Sequence, residues 1–129
     1  MATIRTIETN EAPKPVGPYA QAVVAGDLCF VSGQIGIDPA NGTLVDGGIH
    51  AEATRVFAHI SAILKALGAS YDIVQTEIFL IDIDEFSIVN ELYTAWLADA
   101  TILPARKTVA VAALPLGAHI EVACVAQLR

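Results

Sequence analysis

Charge is what this 129-residue chain has least of, and positive charge above all. Seven Lys and Arg stand against fourteen Asp and Glu, for a net charge of −7 at pH 7. Six of the seven basic residues, Lys14, Arg55, Lys65, Arg106, Lys107 and Arg129, are scattered and form no stripe that would neutralise a row of phosphates, so nucleic acid is not an expected partner. A small anion is not excluded, because one guanidinium in a pocket outweighs a distant, screened negative surface. No apolar run reaches the roughly 18 residues a spanning helix needs, the best being cut by Pro115, Gly117 and His119. The opening residues Met1 to Glu8 lack a basic region followed by an apolar core. A soluble, cytoplasmic protein without a membrane partner is the expectation. Cysteine is equally scarce: Cys29 and Cys124 lie in separate apolar runs with no second-cysteine motif, which predicts buried free thiols rather than a disulfide or a metal pair.

Several catalytic and ligand motifs are missing too. His50, His59 and His119 have neither metal-binding spacing nor accompanying cysteines, so no metal is expected. Asp82-Ile83-Asp84-Glu85 lacks the glycine and distal glutamate of a calcium loop and reads as helix capping. Gly33-Gln34-Ile35-Gly36 lacks the lysine of a phosphate-binding loop and reads as a turn. There is no Gly-x-Ser-x-Gly elbow.

Apolar residues, by contrast, make up 54% of the chain and charged ones only 16%, where about a quarter is usual. One domain spanning residues 1–129 is long enough to bury a core, and the remaining apolar surface points to self-association. Residues 1–18, with Pro13, Pro15 and Pro18, read as an irregular lead-in. Strand-like runs at 20–24 and 28–32 flank the turn Ala25-Gly26-Asp27, and 33–48 reads as a loop. Ile49, Ala53, Val56, Phe57, Ile60, Ile63, Leu64 and Leu67 recur every three or four residues and stop at Gly68, predicting a one-faced helix. A strand at 73–81 follows. A second helix at about 85–97 has Asp82 or Asp84 as N-cap and Phe86, Val89, Tyr93, Trp96 and Leu97 on one side. Two strands, 106–112 and 119–128, close the chain. The order ββαβαββ predicts an α+β two-layer sandwich: a mixed sheet with two helices on one face.

Arg106 opens an apolar run and needs an anionic partner, and Glu121 sits among apolar neighbours in the next strand-like run. With Tyr19, Ser32 and Asn90 they form a small polar set on an apolar background. Each has an ordinary reading: a turn aromatic, a strand-end hydroxyl, an exposed helix residue, and an Arg106–Glu121 ion pair across adjacent strands. On residues alone both readings stand.

The pieces Gly17-Pro18-Tyr19 with Gln21, Val31-Ser32-Gly33-Gln34-Ile35, Phe86-Ser87-Ile88-Val89-Asn90 with Tyr93, Pro104-Ala105-Arg106, Leu114-Pro115 and Ile120-Glu121-Val122 occur in a specific order and spacing. In these the chain resembles the reactive intermediate deaminase family of the RidA/YjgF type along nearly its whole length. The resemblance implies a chorismate-mutase-like fold assembled as a homotrimer with active sites between subunits. It also implies hydrolysis of enamines and 2-imino acids, such as 2-iminopropanoate and 2-iminobutanoate, to 2-oxo acids and ammonia without a cofactor. By position, Arg106 would hold the substrate carboxylate and Glu121 would position or activate water, with Tyr19, Ser32, Gly33, Asn90, Lys107 and Thr108 as substrate-binding residues. The chain departs from many relatives in carrying Thr108 for a cysteine and Ala110 for a glutamate, and its segment between Asn90 and Arg106 is slightly short. Thiol chemistry at position 108 is therefore unavailable. A non-catalytic trimer that binds small carboxylates, or acts as a regulatory or chaperone-like module, is the alternative; RNA cleavage, attached to some relatives, is disfavoured by the acidic charge.

Overall fold

The computed structural model describes residues 3–129. Its main sheet has six strands: β1 (Ile4–Ile7), β2 (Ala22–Ala25), β3 (Leu28–Gln34), β6 (Tyr71–Leu80), β7 (Ala105–Ala110) and β8 (Ile120–Leu128). They lie in the order β1-β2-β3-β8-β6-β7, with a separate two-stranded hairpin of β4 (Ile37–Asp38) and β5 (Thr43–Leu44). All pairings are antiparallel except β6 with β7, so the sheet is mixed. Helices α1 (Gly48–Lys65) and α2 (Phe86–Trp96) cover one face, as the periodicity predicts. The parallel β6–β7 pair needs a crossover, and α2 supplies it.

The face under the helices is read directly from alternation. Along β8, Ile120, Val122, Cys124 and Ala126 are buried while Glu121, Ala123 and Val125 point the other way. Along β6 the buried set is Thr76, Ile78 and Leu80. These residues meet Ile60, Ile63 and Leu64 of α1 and Val89 of α2 in one core, all fully buried. Phe57 stacks on Trp96 at 4.8 Å between ring centroids, and the indole N–H donates to Ser61 Oγ at 2.8 Å, which joins the two helices. Both thiols are buried and free, as expected, and burial pushes Cys124 up to about 12.

Two segments depart from the expectation. Part of the lead-in is a strand: Ile4–Ile7 pairs with β2, because an edge partner satisfies its backbone groups and Ile7 gains a buried site, whereas the prolines begin only at Pro13. The expected loop 33–48 holds the end of β3 and the β4–β5 hairpin. Asp38 accepts from the Ala40 and Gly42 amides, a turn geometry that lets two very short strands pair. Elsewhere the boundaries shift by a few residues. Asp82 is the capping acid, its carboxylate accepting from the Asp84 amide in a 3₁₀ turn that leads into α2.

Candidate functional site

Strand order decides what Arg106 and Glu121 can do together. Their strands are not adjacent, because β6 lies between β7 and β8. The expected cross-strand ion pair is therefore absent. Arg106 stands beside Thr76, which faces the helices, whereas Glu121 stands beside Phe79, which faces away from them. The two side chains leave the sheet on opposite faces. One copy of the chain thus carries two separate polar clusters, one on each face of the sheet.

The first cluster is built by β7 and α2. The Arg106 guanidinium lies 5.1 Å from the Phe86 ring centroid and 5.0 Å from that of Tyr93, and its Nη1 donates to Asn90 Oδ1 at 2.7 Å. Tyr93 is itself fixed, its hydroxyl bonded to the buried Thr76 Oγ1 at 2.8 Å. The rings and the amide thus orient the planar fork without neutralising it, and among the described residues no carboxylate forms a salt bridge with it. With Leu103, Pro104, Asn90 and Tyr93 it lines a cavity of about 480 Å³. Thr108 shares this face by alternation, and among the described residues its Oγ1 is the buried side-chain polar atom left without a hydrogen-bond partner. Lys107 does not join them. It projects from the other face and pairs with Glu77 at 3.0 Å.

The second lies in a cleft of about 260 Å³ on the open face, lined by Tyr19, Gly33, Ile35, Leu116 and Glu121 among others. A bulge places Gly33 there: β3 advances three residues, Val31 to Gln34, while β8 advances two, Cys124 to Val122. A Cβ on Gly33 would stand 2.6 Å from Glu121 Oε2, so glycine is what allows the carboxylate this position. Burial without a charged partner pushes the Glu121 carboxyl above its ordinary value. Ser32 is occupied elsewhere, its hydroxyl donating to the Ala20 carbonyl at 2.7 Å and holding the Tyr19 segment on β3.

Three contributors were not singled out as site residues in the sequence. Phe86 and Tyr93 read only as the buried side of α2, and the signal for more was the arginine that follows. Gln21 is buried and grips the strap that walls the cleft: its Oε1 accepts from the Thr9 amide at 2.8 Å and its Nε2 donates to the Thr9 and Pro13 carbonyls at 3.0 and 2.9 Å. A third hollow, about 240 Å³ beside the Asp72–Arg129 pair, contains none of the predicted residues.

Replacing Gly33 with alanine separates stability from chemistry. The nearest atoms belong to the movable end of the Glu121 side chain, so the carboxylate and not the backbone yields. Unfolding free energy is expected to change by less than about 1 kcal/mol. Any reaction rate that depends on the place of the Glu121 carboxylate is expected to fall by roughly 10- to 100-fold, since displacements of about an ångström act on rates at this scale. Paired melting and rate measurements check it.

Comparison with known proteins adds the following. The family described as endoribonuclease L-PSP matches residues 9–128. The human protein named 2-iminobutanoate/2-iminopropanoate deaminase is 43% identical over 123 residues, covering 95% of this chain and 88% of that one. The crystal structure of RidA from the Antarctic bacterium Psychrobacter sp. superposes with a TM-score of 0.89 at 40% identity, over 96% of this chain and 99% of that one. That of the YjgF gene product from E. coli gives 0.89 at 36% identity, over 97% and 99%.

Proposed function

The chain belongs to the endoribonuclease L-PSP family, and from that premise we propose that it is a cytoplasmic hydrolase of reactive 2-imino acids and enamines, working as a homotrimer whose sites form between copies. The observation that carries the reading is the split of the polar set. A guanidinium free of any carboxylate on one face and a half-buried carboxylate on the other serve a single substrate only when a second copy brings them together. The open face of the sheet, where Phe30 and Val109 are exposed, offers the surface for such packing. Relatives at about 40% identity that are named for this activity support the same reading.

In this scheme Arg106 clasps the substrate carboxylate through two parallel charge-assisted hydrogen bonds. Thr108, whose hydroxyl is unpartnered, offers a further polar contact on the same side. From the neighbouring copy Glu121 takes a proton from water as the oxygen attacks the imine carbon. The nitrogen is protonated in turn, and the tetrahedral carbinolamine releases ammonia and leaves a 2-oxo acid. Imines are already electrophilic, so orientation and one proton transfer are the whole requirement. Tyr19, Gly33 and Leu116 line the cleft around the carboxylate, and a second copy packed over it would exclude bulk water and strengthen each electrostatic contact.

The test generates 2-iminobutanoate in place with a dehydratase and traps it with semicarbazide. The protein is expected to divert the imine to 2-oxobutanoate before trapping, and its solution mass is expected to be three times that of the chain. Carboxylate binding without turnover would select the non-catalytic alternative, and a monomer would remove the shared site.

A further inference from the structure

Both walls of the Glu121 cleft are gripped by buried polar groups from one face of α1. Glu52 is only 1% exposed, and its Oε1 accepts from the His119 amide at 2.8 Å while Oε2 pairs with the His119 ring Nδ1. His119 directly precedes β8 and stands two residues from Glu121. It also ends the segment that carries Leu116, whose φ of 57° is a left-handed conformation that a branched residue adopts only when held. The opposite wall runs from Gly33 to Ile37. There Gly36 packs so closely on Glu52 that an added Cβ would lie 2.8 Å from the Glu52 Cα. Seven residues along the same helical face, the buried His59 donates from Nε2 to the Ile37 carbonyl at 2.7 Å. A buried carboxylate is costly unless its oxygens are used, and both oxygens of Glu52 are spent on the His119 wall.

We propose that Glu52 is a positioning residue, which through His119 fixes the start of β8 and hence the place of the Glu121 carboxylate against Gly33. The inference rests on the deaminase reading of that cleft. Glu52 never touches substrate. What it sets is the separation of the walls, and a carboxylate displaced by about an ångström loses its line to the water.

The experiment compares Glu52→Ala, Glu52→Gln and Glu52→Asp with wild type in the imine assay, with melting temperature and solution mass recorded for each. Glutamine can keep both bonds, accepting from the amide and donating to Nδ1, so its kcat is expected within about threefold of wild type. Alanine removes both, and kcat is expected to fall about 10-fold or more with KM within about threefold. Should alanine fail to fold, aspartate keeps the charge but draws the carboxylate back by roughly one bond length, about 1.5 Å, and kcat is expected to fall at least about threefold. A folded alanine variant with wild-type kcat overturns the proposal, as does a glutamine variant as damaged as alanine, or aspartate at full kcat where alanine does not fold. Inactive wild-type protein would instead sink the deaminase reading, which keeps the two failures apart.

Discussion

Arg106→Ala is expected to lower kcat/KM for 2-iminobutanoate by about 100-fold or more, on the order of 3 kcal/mol of transition-state binding. The fork is exposed, free of any carboxylate among the described residues, and lies over the Phe86 and Tyr93 rings at 5.1 and 5.0 Å with Asn90 on one nitrogen. Its remaining donors are what a substrate carboxylate would meet. Losing a contact made equally to bound substrate and transition state raises KM and leaves kcat nearly unchanged, so most of the loss is expected in KM. Arg106→Lys keeps the charge but loses both the fork and the stacking, and should recover only part of the loss, leaving a deficit of about 10-fold. Stability should scarcely move, because the side chain is exposed and the stacking on the rings is worth at most about 1 kcal/mol. Steady-state kinetics over both variants decide it. An alanine variant within about threefold of wild type would show that the guanidinium does not hold the substrate.

Glu121→Gln is expected to act on the other parameter, lowering kcat by about 10²- to 10³-fold, within the usual range for removing a general base. The pH profile carries the sharper signature. Burial raises the carboxyl above its ordinary value of 4.5, and water activation needs the ionised form. Activity should therefore rise with pH on the acid side, with its midpoint above that of an ordinary glutamate, and this limb should flatten in the glutamine variant. The same shift fixes the sign for stability. A carboxyl whose pKa is raised on folding binds its proton more tightly in the folded state. Its favourable contribution is complete below the unfolded pKa and is lost as pH rises through the folded one. At neutral pH the glutamine variant should thus melt no lower than wild type, and slightly higher if neighbouring groups stay put. A variant that keeps its rate and its acid limb would remove Glu121 from the chemistry.

Glu121 and Arg106 were unequally legible in the sequence. Glu121 was legible as an acid among apolar neighbours, and alternation along β8 alone puts Ile120 and Val122 into the core and sends Glu121 away from it. Arg106 was legible as a cation in need of an anion, but the proposed ion pair with Glu121 was not there to be found, because β6 separates their strands. Lys107 shows the same limit from the other side. Being next in sequence to Arg106 puts it on the opposite face, where Glu77 receives it. Tyr19 and Gly33 reach the Glu121 cleft from about 90 or more residues away in the chain, Gly33 through a bulge and Tyr19 through the Ser32–Ala20 hydrogen bond, which no local pattern announces. Glu52 is the clearest omission. It looks like one more helical acid until the fold buries it against His119, 67 residues away.

Period and punctuation, then, determined the helices, five of the strands, the free thiols and the roster of polar residues set on an apolar background, since these follow from interactions within a few residues. Tertiary structure decided which strand lies between which, that residues 4–7 and the 37–44 hairpin pair at all, and that the guanidinium and the carboxylate leave the sheet on opposite sides. Those outcomes depend on contacts between distant segments, where burial and backbone pairing outweigh local preference.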